Sequence, residues 1–262
     1  MLTRARPFYE CRKGIYEIDE FDCTEIFVIT GKERALVLDT GTGIGDLKGL
    51  IEERITDLPY DVVLTHNHVD HMGGAAWFSR VYMHPEDLEQ DDPSFPPTLK
   101  MRRFYAGVIR ESSGKYYDYT EEDIRPWQQE PEKLPVEDGH VFHLGGRDVI
   151  IYHCPGHTAG ELVALDEQTG TLLCGDAFNG NFLLDSSRRK KDRCESAYQC
   201  LTAMRRIREM GVSFSSVAMT KTGIDVPAVL SAIRPETRVI LTQRSRGYAL
   251  RPTVAPEDMA PL

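Results

Sequence analysis

Thr65-His66-Asn67-His68-Val69-Asp70-His71-Met72-Gly73-Gly74 is the stretch on which the reading of this chain turns. It follows the apolar run Val62-Val63-Leu64, so the histidines begin where a short, buried strand runs out. Three His and one Asp fall within residues 66 to 71. With 8 His in 262 residues, the pattern H-x-H-x-D-H arises by chance in roughly one chain of this composition in two thousand. Imidazoles two residues apart on extended backbone leave the same side of the chain, as two ligands of one ion must.

The flanks of this motif alternate between strand and helix patterns. GIYEID and EIFVIT, then ALVLDT after the turn signal Gly31-Lys32, predict a strand meander. Ile44, Leu47, Leu50, Ile51 and Ile55 recur at helical spacing and predict an amphipathic helix over 44–55. A strand over 61–65 leads into the motif, and a short helix over 72–79 and a strand at 81–83 follow it. Residues 86–135, rich in proline, aromatics and charge, read as an inserted segment with one or two helices. Strand patterns return with VFHL, DVIIYHC, ELVALD and TLLCGD, the last two divided by a turn at Gln168-Thr169-Gly170. A helix over 195–209, a strand over 216–220, a helix over 226–233 and a strand over 238–242 complete the prediction. Two batches of strands, each joined to helices, predict one α/β domain over 1–262, with two sheets face to face and helices outside.

Composition narrows the function. With 41 Asp and Glu against 31 Lys and Arg, the net charge is −10, which disfavours nucleic acid as a partner. Six cysteines without a CxxC pair do not form a disulfide framework. The N-terminus carries no apolar run of signal-peptide length, and no segment reaches the ~18 apolar residues of a membrane span. These features predict a cytoplasmic protein with reduced thiols and a small-molecule substrate rather than a membrane partner.

Two further residues sit at strand ends beside glycine. His157 lies in Cys154-Pro155-Gly156-His157-Thr158 and Asp176 in Cys174-Gly175-Asp176. Taken in order, THNHVDHMGG, CPGHTAGEL and LLCGD resemble the metallo-β-lactamase-fold hydrolase superfamily, and within it the glyoxalase II-like branch. The resemblance implies a four-layer αββα sandwich with a metal site along one edge. It also implies that His66, His68 and His157 hold a first ion, that Asp70 and His71 hold a second, and that Asp176 bridges them. The cofactor implied is zinc, as one or two ions, with iron or manganese as alternatives. The implied chemistry is attack by a metal-bound hydroxide on a small thioester, ester, lactone or phosphoester, with Asp70 taking up the proton. An iron-dependent persulfide-type dioxygenase and a binding domain without turnover are the alternative readings.

The chain departs from this pattern once. The superfamily supplies a last His from a late Gly-His-Gly loop, whereas all eight histidines here lie at or before residue 157. By order along the chain the corresponding loop is Met219 to Gly223, which places Thr222 at the missing ligand, or Lys221 one step earlier. A neutral hydroxyl is a poor ligand and a lysine must first lose its proton, so the second site is expected to be the weaker one. The aromatics Phe104, Tyr105, Tyr116, Tyr117, Tyr119 and Trp127 of the insertion are expected either to wall the pocket over the metal edge or to pack on the core or on a second subunit. His140, His143 and His153 read as structural or exposed, His84 as the start of a helix or else a residue at the rim of the site, and Cys154 and Cys174 as inert packing.

Overall fold

The alternation of apolar residues along the strands builds two sheets in a computed structural model, which describes residues 6–89, 96–113, 119–177, 201–202, 205, 208 and 226–233. The first sheet has seven strands in chain order: β1 (Phe8–Arg12), β2 (Ile15–Asp19), β3 (Glu25–Thr30), β4 (Ala35–Leu38), β5 (Tyr60–Val63), β6 (Arg80–Met83) and β7 (Glu132–Pro135). β1 to β4 form an antiparallel meander, whereas β4 to β7 pair in parallel. The second sheet is antiparallel, with β8 (Val141–His143), β9 (Asp148–His153), β10 (Leu162–Asp166) and β11 (Thr171–Leu173) in the order β11-β10-β9-β8.

Period-two burial explains the stacking. Ile29, Leu36, Leu38 and Val63 of the first sheet face Phe142, Val149, Ile151, Leu162 and Ala164 of the second, and together they form the core between the sheets. The alternate residues Ile26, Val28, Ala35, Val37 and Val62 face outward and are covered by Leu47, Leu50 and Ile51 of α1 (Leu47–Arg54). Asp46 caps that helix by accepting the Gly49 N–H at 2.8 Å. On the far face of the second sheet, Tyr152, Val163 and Leu172 form a third apolar cluster.

Several expectations change in detail. The helix predicted over 72–79 is a single turn, α2 (Val69–Met72), followed by a 3-10 turn at Ala75–Trp77; the turn starts earlier because the histidine motif itself enters the helix. β1 was not anticipated, and neither was β7, which brings the end of the 86–135 insertion back into the first sheet. β7 reads EKLP and is an edge strand, a position that tolerates charge and a terminal proline. The insertion otherwise holds α3 (Pro85–Glu89), α4 (Leu99–Ser113) and a 3-10 turn at Glu121–Asp123. The helix near 226 is observed as α5 (Val226–Ala232). The predicted helix over 195–209, apart from residues 201, 202, 205 and 208, and the strands over 216–220 and 238–242 lie outside the described residues, as do Thr222 and Lys221.

Candidate metal centre

The parallel strands β4, β5 and β6 end at one edge of the molecule, and the loops after β9 and β11 arrive at the same edge from the second sheet. Leu162 N–H donates to Thr65 O at 2.8 Å and so locks the two sheets together beside the motif. His66 and His68 leave the loop after β5, while His157 leaves the loop after β9, and all three are buried. Their ligand atoms lie within 4.8 Å of one another. A second group, His66, His71 and Asp176, satisfies the same condition. The two groups together take in five of the six metal-site candidates, His66, His68, His71, His157 and Asp176.

Asp176 stands between the two groups. Its Oδ2 is 3.3 Å from His157 Nε2 and its Oδ1 is 3.7 Å from His71 Nε2. Asp70 Oδ2 lies 3.8 Å from His71 Nε2, on the outer side of that group. Burial raises the Asp176 carboxyl, but His157, His71 and His68 outweigh it and hold the group below the ordinary carboxylate range.

The donor set fits a divalent cation. His66 Nε2 is buried and has no hydrogen-bond partner, an unmet acceptor that an ion would satisfy. Burial and the neighbouring His71, His68 and His157 push His66 well below the ordinary imidazole value, so its lone pair is available. His157 Nε2 and His68 Nδ1 face each other at 2.8 Å. For His71, burial alone would lower the basicity; Asp39, Asp70 and Asp176 overcome it and raise the group to about 10.

Around these residues lies a shell of partners. Asp39 Oδ2 accepts from His71 Nδ1 at 2.8 Å, and the same carboxylate takes the Thr65 N–H and hydroxyl. It therefore fixes the His71 tautomer, with Nε2 turned to the site. Glu161 is fully buried 3.4 Å from His66 Nδ1 and accepts the Asp176 N–H at 3.2 Å. Burial and the carboxylates of Asp176, Asp87 and Asp39 raise Glu161 well above its ordinary value. Asp87 accepts the Thr158 hydroxyl and the Gly160 N–H, both at 2.8 Å, and so braces the loop that carries His157. Sequence reading passed over all three. Asp39 alone had a usable signal, an acidic residue closing an apolar strand beside Gly41, the same cue that singled out Asp176.

A third cluster, His84, Glu86 and His153, lies on the other side of the His157 loop. The two rings stack at 3.8 Å with an interplanar angle of 14°. Nearly parallel rings cannot both aim in-plane lone pairs at one ion, and His153 Nε2 is already engaged with Ala159 O at 2.8 Å.

The aromatics of the insertion do not share one environment. Tyr119 is packing: it lies against Phe21 at 5.1 Å and donates to Ala106 O. Trp127 donates to Gly73 O at 2.8 Å. Tyr105 donates its hydroxyl to Asp70 Oδ2 at 2.8 Å, Phe104 is exposed, and Tyr116 and Tyr117 lie outside the described residues.

Comparison with known proteins agrees with this geometry. Residues 199–262 match a family model described as methionine gamma-lyase, which overlaps the end of a longer match reported below. The chain is 30% identical over 174 residues to the human acyl-coenzyme A thioesterase MBLAC2, covering 61% of this chain and 60% of the relative. It is also 30% identical over 162 residues to the atrochrysone carboxyl ACP thioesterase dmxR1 of Cryptosporiopsis sp. (strain 8999), covering 60% of this chain and 39% of the relative. In each case the chain spans less than two thirds of the relative's length. Among solved structures, the metallo-beta-lactamase family protein TTHA1429 from Thermus thermophilus shares the fold with a TM-score of 0.51 and 20% identity, over 76% of this chain and 71% of that one. Residues 24–212 match the family model of the Metallo-beta-lactamase superfamily, and with both sheets and every ligand loop described above inside that match apart from the first two strands, the chain belongs to this superfamily.

Proposed function

We propose that this protein is a metal-dependent hydrolase of acyl thioesters. The observation that carries the reading is the convergence of His66, His68 and His157 around a buried, unsatisfied imidazole nitrogen. The thioester preference is supported by the relatives, which are an acyl-coenzyme A thioesterase and an acyl-carrier-protein thioesterase. Zinc suits the three-imidazole set, and iron or manganese is compatible with the mixed nitrogen and oxygen donors of the second group. A divalent ion there supplies a water of lowered pKa and a positive charge beside the substrate carbonyl.

The chain's own residues then have distinct tasks. Asp70, at the outer side of the pair, is the carboxylate placed to accept a proton from the attacking water. Asp176, between the two groups, balances charge on both sides. His71, oriented by Asp39, completes the second group. A thiolate leaves without strong electrophilic help, so hydrolysis of a thioester tolerates a second site with only Asp70, His71 and Asp176 as protein ligands. Thr222 and Lys221, the positions expected to replace the late His, lie beyond the 24–212 match and inside the stretch that resembles methionine gamma-lyase. Cys11, Cys23 and Cys174 carry thiols rather than disulfides, which supports a reducing compartment such as the cytoplasm. No helix among the described residues is long and apolar enough to cross a membrane.

Elemental analysis and a panel of short- and long-chain acyl-coenzyme A substrates test the reading directly. The unmodified protein is expected to hold at least one ion and to release free thiol, and His68→Ala to lose both together. A His68→Ala protein that keeps stoichiometric metal would overturn the site assignment.

A further inference from the structure

The second ion site is expected to lack the late imidazole, so whatever holds its other ligands in place matters more than in a fully furnished site. Asp70 sits in the first turn of α2, a helix of only four residues whose N-cap, His68, makes no capping bond from its side chain. Its carboxylate meets a hydroxyl from a distant part of the chain. Tyr105, on the inserted helix α4, donates to Asp70 Oδ2 at 2.8 Å.

That phenol is carried on a fixed frame. Arg102, one turn earlier on α4 and buried, donates through Nε to Thr42 O at 2.7 Å, through Nη2 to Gly43 O at 3.2 Å and through Nη1 to Arg125 O at 2.8 Å. Tyr119 closes onto the same helix through its bond to Ala106 O. The backbone under Tyr105 is therefore anchored to the loop after β4 without help from Tyr105 itself, and the phenol reaches Asp70 from a preset position.

We propose that Tyr105 is a positioning residue for the second ion. By engaging Oδ2, the oxygen that lies 3.8 Å from His71 Nε2, the phenol fixes the rotation of the Asp70 carboxylate beside the second group, which offsets part of what the missing imidazole would contribute. Partners of this kind, one bond removed from a metal, alter affinity by about 10–100-fold when removed. The insertion thereby couples the placement of α4 to occupancy of the second site. This inference rests on the metal-centre reading given above.

Stepwise titration of the metal-free protein with Co²⁺, followed by visible absorption and by competition with a chelator, tests it. The unmodified chain is expected to take up one ion tightly and a second more weakly. Tyr105→Phe should keep the first step and weaken the second by about tenfold or more, with a change confined to the spectrum of the second equivalent. Thermal unfolding of the metal-free variant should match that of the parent. Adding Asp70→Asn to Tyr105→Phe should cost no more than Asp70→Asn alone, because the two act through one contact. An unchanged second step in Tyr105→Phe overturns the inference, and so does an equal loss in both steps together with a lower melting temperature, which marks a structural role. Uptake of a single ion even at excess Co²⁺ removes the second site and this inference with it, while leaving the first site standing. No uptake at all would instead overturn the metal-centre reading.

Discussion

Asp39 shows how much one residue can organise. It has φ 67°, in the left-handed region that residues with a side chain rarely enter, directly after β4. Local strain at such a position persists when surrounding bonds overdetermine it. Here the surroundings are the Thr65 amide and hydroxyl and His71 Nδ1, all bound to one carboxylate. The strained backbone thus aims the carboxylate at the base of the motif, and His71 receives its orientation from it. Asp39→Ala is expected to lower affinity for the second ion by about 10–100-fold while sparing the first, as read by metal titration against a chelator. Equal affinity for both ions in the variant and the parent would show that His71 is held by something else.

Among the elements, one side chain ties the two sheets together away from the site. Arg147, in the turn between β8 and β9, donates to both oxygens of Asp166 at the end of β10, at 2.8 and 2.9 Å. Its remaining nitrogen reaches across to the first sheet, where the carbonyls of Lys13, Gly14 and Thr30 lie at 3.1, 3.2 and 2.9 Å. The pair is buried, so removal of the cation leaves the Asp166 carboxylate with only its Thr169 bonds and takes one donor from each of three carbonyls. Arg147→Met is expected to cost about 3–5 kcal/mol in denaturant unfolding. The pH dependence has a definite sign. Burial alone would raise Asp166, but Arg147 and Thr169 outweigh it and place the group below its unfolded value of 3.8. Its stabilising contribution is therefore complete above that value and is lost as pH falls below it, so Arg147→Met should flatten the acid limb of the melting curve. A variant that keeps the parent's acid limb would show that other carboxylates govern it.

At the scale of the whole molecule, the chain carries two likenesses. The superfamily match ends at residue 212, and the methionine gamma-lyase match runs from 199 to 262. The expectation of one domain over 1–262 rested on strand and helix patterns that any α/β segment displays, and such patterns do not report which family a segment comes from. Thr222→His is expected to raise second-ion occupancy, measured as ions per chain at limiting metal, because an imidazole adds a strong donor where a neutral hydroxyl adds almost none. Unchanged occupancy would show that this position does not reach the site.

Local chemistry alone determined a good part of this protein. The near-continuous apolar runs in EIFVIT, ALVLDT and DVIIYHC mark strands buried on both faces, and the observed clusters divide those residues between the two faces as period two requires. His66, His68, Asp70, His71, His157 and Asp176 were legible because each follows an apolar strand, where a side chain is free to lean over the sheet edge. Tertiary structure decided the rest. The Asp39 bond to His71 spans 32 residues and the Tyr105 bond to Asp70 spans 35, and no local periodicity encodes a partner at that distance. β1 and β7 are edge strands whose pairing supplies what their own sequences lack in apolar content. A residue's type and spacing fix what chemistry it can do, whereas the packing of two sheets and an inserted helix fixes which residues do it together.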